Sequence, residues 1–589
     1  MTDPENAAAG TSQRQGRRAV DWPLLLILLV ALLFRLVNVR YGLPDLLPAD
    51  EGFLVNHALG FGNGDLNPHF FNYPALQMYL LFALFGVVFV GGRLAGQWNG
   101  AWDFAVAYFR DPSLLQTAGR LLTVALGVAT VWLVFRLAER WFGRAAALAA
   151  ALVLAVSPLH VRHSQVIGTD VPMAFWAFLA VFLAACYLDT PAIKTLLAAG
   201  FVAGLAGAAK YPGLVAIAPV ALAPFVAQTP AGAAPSGRSR HALAALAAAL
   251  AGFAAGAPFT FLDWAGFRAD MLFEMRHMKS GHLGMEGVPN GWGVHAVYSL
   301  PAIASHLCLL LAVVGIAAAV RSRPARALWL LLAPVAVYAV IGAQAVTFDR
   351  YALPLAPYVA VFAGLGVAGI ARRGRGLRLA AALLLAAAVA PMLAACIRNS
   401  VSTCLRDTRT AARLSVNFAL PEGESIALTN YGPQLPQTAE SIQREQERVS
   451  ERMQASGKAG GRQKSSAKFR LLDEAARGRK RYNVYFLDRM WRPGLAEDLV
   501  REGVTWAIID YGMMGRYLRV PDKYPDPVAF YHSVRKKGRL VKTFAPEVHS
   551  FGALSVSSPG PLIEVYRLRP PQVGNAAGAR QRSGEQVQP

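Results

Sequence analysis

The sequence predicts a polytopic α-helical membrane protein of about eleven spans, followed by a C-terminal extracytoplasmic α/β domain. Three observations predict it. Of 589 residues, 54% are hydrophobic and only 16% are charged. The apolar residues come in blocks of roughly 17–25, the length that crosses a bilayer. Outside the tail, most of the basic residues fall in short clusters between those blocks: Arg14, Arg17 and Arg18; Arg136, Arg140 and Arg144; Arg238 and Arg240; Arg321, Arg323 and Arg326; Arg372, Arg373, Arg375 and Arg378. A net charge of +22 would suggest a nucleic-acid partner in a soluble chain, but clustered in this way it marks cytoplasmic loops.

Residues 1–21 read as a cytoplasmic tail. The first apolar stretch, Trp22 to Val39, lacks a small-residue cleavage site and reads as a signal anchor. It ends outside near Arg40, which places Asp50, Glu51 and the Gly/Asn/Pro-rich stretch to Tyr73 on the outer face. If Pro74 to Val90 crossed the membrane, Arg136, Arg140 and Arg144 would fall outside, against the positive-inside rule. That stretch therefore reads as a helix lying along or dipping into the outer leaflet. The later blocks then alternate without conflict: Leu114–Phe135 inward, Ala145–Val161 outward, Pro172–Leu188 inward, Ile193–Ala209 outward, Pro212–Val226 inward, Ala242–Leu262 outward, Val297–Val320 inward, Leu328–Thr347 outward, Tyr351–Ile370 inward and Leu379–Ile397 outward. Residues 22–397 form the membrane domain.

Beyond Arg398 the composition becomes that of a soluble domain, residues 398–570. Short β-like runs stand at Ser425–Leu428, Tyr482–Phe486, Trp506–Asp510 and Leu562–Tyr566. The stretch from Gln437 to Lys480, dense in charged and amide residues, reads as a solvated helix or a flexible insertion. Residues 571–589 read as disordered. The four cysteines say little: Cys186 and Cys308 lie in apolar blocks, and a pairing of Cys396 with Cys404 has no support from spacing.

The threading assigns a side to every polar residue near a span end. Asp50 and Glu51, Asp170, Lys210 and Arg350 all gather on the outer face. A carboxylate in hydrocarbon costs about 2.5–3.5 kcal/mol on insertion scales, so acidic groups at the mouth of a bundle need water, a cation or a reaction. Three carboxylates and two cations at similar depth suit an anionic substrate and a proton to be removed from another. Plainer readings stand beside this one. Lys210 and Arg350 also read as snorkelling anchors, Asp170 as an N-cap before Val171-Pro172, and Asp50-Glu51 as a solvated loop pair. His57, His69, His160, His163, His277, His282 and His295 fall on the outer side without the spacing of a compact metal site, so no metal ligands are assigned.

Five motifs then carry a resemblance: P-A-D-E-G-F, N-P-H-F-F-N-Y-P-A-L-Q-M-Y-L, S-Q-V-I-G-T-D-V-P-M-A-F-W, A-K-Y-P-G-L and R-Y-A-L-P-L-A-P. Together they resemble the bacterial lipid-carrier-dependent glycosyltransferases of the protein O-mannosyltransferase and aminoarabinose transferase type, members of the C-type glycosyltransferase superfamily. The resemblance covers Trp22 to Ile397. It implies a large first outer loop with interfacial helices, and a donor sugar on a polyprenyl phosphate. It makes Asp50 the general base, with Glu51 and Asp170 as further catalytic acidic residues, and Lys210 and Arg350 the groups that meet the lipid phosphate. Tyr73 and His163 complete the substrate-binding candidates. One departure is plain: relatives carry Lys-Pro-Pro where this chain has Tyr73-Pro74-Ala75. No cofactor is assigned, and a divalent cation stays open.

The expected reaction moves a glycosyl group from the lipid carrier to a protein, lipid or glycan acceptor on the extracytoplasmic side of a bacterial inner membrane. A transporter or flippase for a lipid-linked or anionic substrate is the main rival, and it should show related halves or helices broken near the midplane. A membrane scaffold with a partner-binding tail is a second.

Overall fold

The computed structural model describes residues 21–227, 237–288, 290–429, 431–455, 461–487, 491, 494–552 and 554–568. Arg14, Arg17 and Arg18 and the expected disordered end 571–589 lie outside the described residues.

Helix α1, Trp22–Leu36, starts where the Asp21 side chain accepts the Leu24 N–H and Pro23 sits in the first turn, both ordinary start signals. The first loop carries α2 (Glu51–Gly60), α3 (Leu76–Leu94) and α4 (Ala101–Arg110), and α5 (Ser113–Phe142) then runs 30 residues. Next come α6 (Arg144–Ala155), α7 (Pro158–Ser164), α8 (Asp170–Asp189), α9 (Ile193–Ala209), α10 (Ile217–Val226) and α11 (Arg238–Gly256). After the short α12 (Phe259–Leu262), α13 (Trp264–Ser280) precedes α14 (Gly291–Val294), α15 (Leu300–Ile303), α16 (His306–Ser322), α17 (Pro324–Gly342), α18 (Ala356–Ala371) and α19 (Arg375–Cys404).

Two expected spans are broken. Ala145–Val161 is two helices, α6 and α7, bent by 59°, and Val297–Val320 falls on a pair bent by 100° around Ala304 and Ser305. At the first break Arg35 of α1, fully buried, donates to the last carbonyls of α6, Leu154 at 3.3 Å and Ala155 at 3.0 Å. Those are the acceptors that a helix end leaves without partners. Ser157 and Ser305 close the rest by donating to Ile303 O and Ala388 O, each at 2.7 Å.

By length and composition six helices can cross a membrane, or eight if each bent pair is one span, and α1, α9 and the Tyr211–Val226 segment are apolar but shorter. The expected eleven follow from eight, less α3, plus these three and α11. Helix α3 is apolar enough to cross, yet its two ends meet one connected segment. Met78 and Leu81 pack with Leu54 and Val55 of α2, while at the far end Trp98 covers Gly92 and donates to Phe89 O. Phe104 of α4 stacks on Trp98, and Trp102 of α4 donates to Glu474 of the tail at 2.8 Å.

The bundle is close-packed through small residues. A Cβ on Gly204 of α9 would come within 2.0 Å of the Ala249 carbonyl, and one on Gly252 of α11 within 2.0 Å of Phe201 O. Only glycine lets these two backbones touch, a usual device between membrane helices.

The tail begins with α20 (Thr408–Ala419) and holds a five-stranded sheet ordered β2-β1-β3-β7-β4. β1 (Ser425–Leu428) and β3 (Trp506–Asp510) fall where the sequence places them, and β2 (Asn483–Phe486) and β7 (Ile563–Leu568) differ only at their ends. β4 (Gly538–Phe544) and the hairpin of β5 (Val548–Phe551) and β6 (Leu554–Ser557) were not expected, because β4 is an exposed edge whose residues do not alternate in polarity. The stretch around Gln437 to Lys480 forms two helices, α21 (Ala439–Ala455) and α22 (Gly461–Ala476). α23 (Leu495–Arg501), α24 (Tyr511–Leu518) and α25 (Pro525–Lys537) complete it. All four cysteines are free.

The tail is clamped to the first loop just ahead of Asp50. Asp45, 4% exposed, lies 2.5 Å from Arg413 Nε and accepts from Thr410 at 2.6 Å, Arg409 donates to Leu47 O at 3.1 Å, and Tyr41 donates to Asp407 at 2.7 Å.

Candidate active site

Four charged side chains meet where helices end. Asp50 precedes α2, Asp170 opens α8, Lys210 follows α9, and Arg350 lies in the 3₁₀ turn Asp349–Leu355 that leads into α18. The sequence makes these ends. Lys210 ends α9 in an extended conformation, φ −160° and ψ 134°, and a 3₁₀ turn starts at Tyr211 with Pro212 in its first turn. Asp170 is helical and its carboxylate turns to a side chain instead of the backbone; the N-cap residue is Thr169, without a side-chain cap. The plainer reading of Asp170 as an N-cap does not hold.

The charges interleave. Lys210 Nζ donates to Asp170 Oδ1 at 2.6 Å, Arg350 Nη1 lies 3.0 Å from Asp50 Oδ2, and Arg350 Nε lies 3.9 Å from Asp170 Oδ2. Asp170 and Lys210 are nearly buried, whereas the Asp50 side chain is 42% exposed. Snorkelling does not describe Lys210 or Arg350, whose heads are held inside this cluster. Among the described residues Arg350 Nε has no hydrogen-bond partner. Lys210 Nζ stands 4.8 Å from the Tyr351 ring and 6.0 Å from the Tyr73 ring, and Arg350 lies over Phe348 at 4.7 Å. Aromatic faces stabilise cations that have lost water.

Tyr73 thus stands beside the cluster. Its segment is latched on three sides: Tyr211 donates to Phe71 O at 2.7 Å, Phe71 N–H to Asp270 at 2.9 Å, and Asn72 to Glu274 at 3.0 Å. Burial, and then the Asp50 carboxylate, push the Tyr73 phenol far above its ordinary pKa, so it stays a neutral hydroxyl donor.

Glu51 is the main correction. Its side chain is 1% exposed, and Arg120 binds it through two nitrogens at 2.5 and 2.8 Å while Ile167 N–H donates to it at 2.7 Å. Arg120 also donates to Val39 O and Tyr41 O at 2.7 and 2.8 Å. Glu51 therefore spends its carboxylate on Arg120 and Ile167, apart from the Asp50–Arg350 pair. His163 is also displaced from the centre, lying 3.9 Å from Asp349, which Arg162 binds as well. Asp349 turns from the site while Arg350 turns into it.

Sequence reasoning missed Arg120, Tyr351, Asp349 and Glu274. Arg120 had a signal: a lone arginine inside an apolar block needs a partner, and Glu51 is it. Among the described residues no group of three His, Cys, Asp or Glu side chains could hold a metal ion, and Arg350 occupies the space between the Asp50 and Asp170 carboxylates.

A small apolar cavity of about 10 Å³ is walled by Met173 and Phe178 of α8, Pro212, Val337 of α17, Pro354 and Tyr358. Met173, Pro212 and Pro354 follow closely after Asp170, Lys210 and Arg350 in sequence.

Residues 113–258 match the family model described as dolichyl-phosphate-mannose-protein mannosyltransferase. That segment carries α5 to α11 and with them Asp170 and Lys210. The apo oligosaccharyltransferase of Archaeoglobus fulgidus superposes with a TM-score of 0.51 at 12% identity, over 92% of this chain and 76% of that one. The chain has the C-type glycosyltransferase fold. Apo ArnT of Cupriavidus metallidurans superposes on this glycosyltransferase fold with a TM-score of 0.48 at 15% identity, over 92% of this chain and 97% of that one. No curated protein matches by sequence.

Proposed function

We propose that this chain is an integral membrane glycosyltransferase that moves a hexosyl or pentosyl group from a polyprenyl-phosphate donor to an acceptor nucleophile. The observation that carries the reading is the cluster of Asp50, Asp170, Lys210 and Arg350, in which two cations converge on Asp170 where apolar helices end. A lipid phosphate needs cations for its head and apolar surroundings for its tail. The matched family description supports the same donor class.

In this reading the phosphate enters between Lys210 and Arg350, and Tyr73 donates a hydroxyl hydrogen bond to it. Arg350 now serves the phosphate as well as Asp50, which leaves Asp50 freer to act as a base. The acceptor O–H or N–H gives its proton to Asp50 as the acceptor attacks the anomeric carbon, and the bond from that carbon to the phosphate oxygen breaks. The electron pair stays on the phosphate, where Lys210 and Arg350 stabilise it in a site with little water. Attack opposite the leaving group inverts the anomeric centre. Asp170 holds Lys210 in place.

Sidedness follows from the threading. With the N-terminus cytoplasmic and the basic loops inside, the cluster and the clamped tail face the outer side of a bacterial inner membrane, with residues 22–397 as the catalytic unit and 398–570 as a domain resting on it. The acceptor, whether protein, lipid or glycan, approaches from there. The broken helices would suit a transporter, but Arg35 and Ser157 meet the carbonyls of Leu154, Ala155 and Ile303 at the two breaks.

The test is transfer by the purified chain in proteoliposomes holding polyprenyl-phosphate mannose with a hydroxyl acceptor, read by mass spectrometry. Wild type transfers with inversion, and Asp50→Asn loses about 100- to 10,000-fold in rate with folding intact. Movement of the lipid between leaflets without transfer would make the chain a flippase.

A further inference from the structure

Helix α13 lies across the outer face and carries two carboxylates one turn apart, Asp270 and Glu274, which therefore share a face. Their situations differ. Asp270 is 5% exposed and spends an oxygen on the Phe71 N–H, a structural tie. Glu274 is half-buried and accepts one hydrogen bond, from the Asn72 amide at 3.0 Å. An ionised carboxylate offers about four lone-pair sites, so most of its capacity is unused by that bond. Tyr351 is the ring that faces Lys210 at 4.8 Å, and Asn72 is joined directly to Tyr73, so the Glu274–Asn72 pair borders the segment that brings Tyr73 to the cluster.

We propose that Glu274, paired with Asn72, reads the sugar: its carboxylate accepts hydrogen bonds from hydroxyls of the glycosyl group carried on the lipid phosphate. This rests on the donor reading given above. The arrangement separates tasks: cations for the phosphate, apolar surroundings for the lipid, Asp50 for the acceptor proton, and Glu274 with Asn72 for the sugar's identity. A charged acceptor gives stronger hydrogen bonds than a neutral one, and a site built to bind a hydroxyl rejects an analogue that lacks it far better than an apolar pocket rejects an added group.

The experiment measures dissociation constants of the full chain in nanodiscs for bare polyprenyl phosphate, polyprenyl-phosphate mannose and its monodeoxy analogues. Wild type, Glu274→Gln and Asp270→Asn are compared. Glu274→Gln leaves the affinity for the bare carrier unchanged, weakens the mannosylated donor about 10- to 100-fold, and reduces discrimination against one deoxy analogue. Asp270→Asn, which loosens the latch, weakens bare carrier and donor alike. If Glu274→Gln also weakens both alike, or changes neither, Glu274 is only part of the latch and the inference is overturned. If wild type fails to bind the bare carrier at all, it is the donor reading that fails, and this inference falls with it.

Discussion

Helix α8 has an aspartate at each end, and both meet cations, yet the two ends are built differently. At the far end Asp189 receives Arg140, Arg326 at 2.7 Å and the Trp141 indole N–H at 3.2 Å. Arg326 lies over Trp141, Trp141 packs edge-on against Trp329, and Trp329 donates to Pro219 O. Two cations converge on one carboxylate, and each group adds a tie between helices. At the near end two carboxylates alternate with two cations, Arg350 keeps an unpartnered Nε, and Asp50 stays open to solvent. The first arrangement has settled its polar groups on one another. The second keeps a carboxylate open to solvent and, among the described residues, a guanidinium nitrogen without a hydrogen bond.

The Glu51–Arg120 pair belongs with the Asp189 end despite its place beside Asp50. Both partners are 1% exposed and every bond they make is internal. Breaking a buried pair from one side leaves an uncompensated charge and costs about 3–5 kcal/mol. Arg120→Ala is therefore the change with the largest expected effect on folding, visible as a lower melting temperature in detergent. If it instead melted like wild type and lost only transfer, Glu51 would belong to the chemistry.

Lys210→Ala cuts the other way. Its ammonium, once a phosphate is bound, stabilises the leaving group, and loss of one such group costs on the order of 100-fold in rate. The melting temperature should fall less than for Arg120→Ala, because Asp170 keeps the Arg350 guanidinium at 3.9 Å. Single-turnover transfer with saturating donor checks it. A variant that transfers at wild-type rate but melts early would reduce the near end to another structural tie.

The sequence already contained most of this division. Asp50, Asp170, Lys210 and Arg350 were recognisable because charged groups at span ends are costly and because charge threading gave them one side. Tyr73 came from its motif. What stayed hidden needed contacts across long stretches of chain. Glu51 looked like Asp50's equal because adjacency says nothing of which way a side chain turns, and its partner Arg120 stands 69 residues away. Glu274 lies on a charged, weakly amphipathic helix whose sequence resembles any solvated segment. The breaks after Ala155 and Ile303 were invisible because an apolar run reads the same straight or bent, and α3 required the ends of the helix to be seen in contact with α2 and α4. The edge strand β4 escaped since exposed strands lack the alternation that marks half-buried ones.

The smallest effect is expected at the far end of α8. Asp189→Asn removes the charge that two arginines share, but Arg140 and Arg326 are 38% and 25% exposed and can turn to water or lipid phosphates, and the aromatic stack around Trp141 persists. The loss is then that of a partly exposed network, about 1 kcal/mol or less, and it should shrink at high salt. Transfer per folded molecule should match wild type, because nothing at that end reaches the donor cluster at the other end of a 20-residue helix. Measuring melting and single-turnover transfer on the same preparation separates the two ends of α8 directly. A change in transfer rate without a change in stability would show that the far end takes part in the donor's passage, and the contrast between a settled and an open ionic cluster would no longer tell structure from function here.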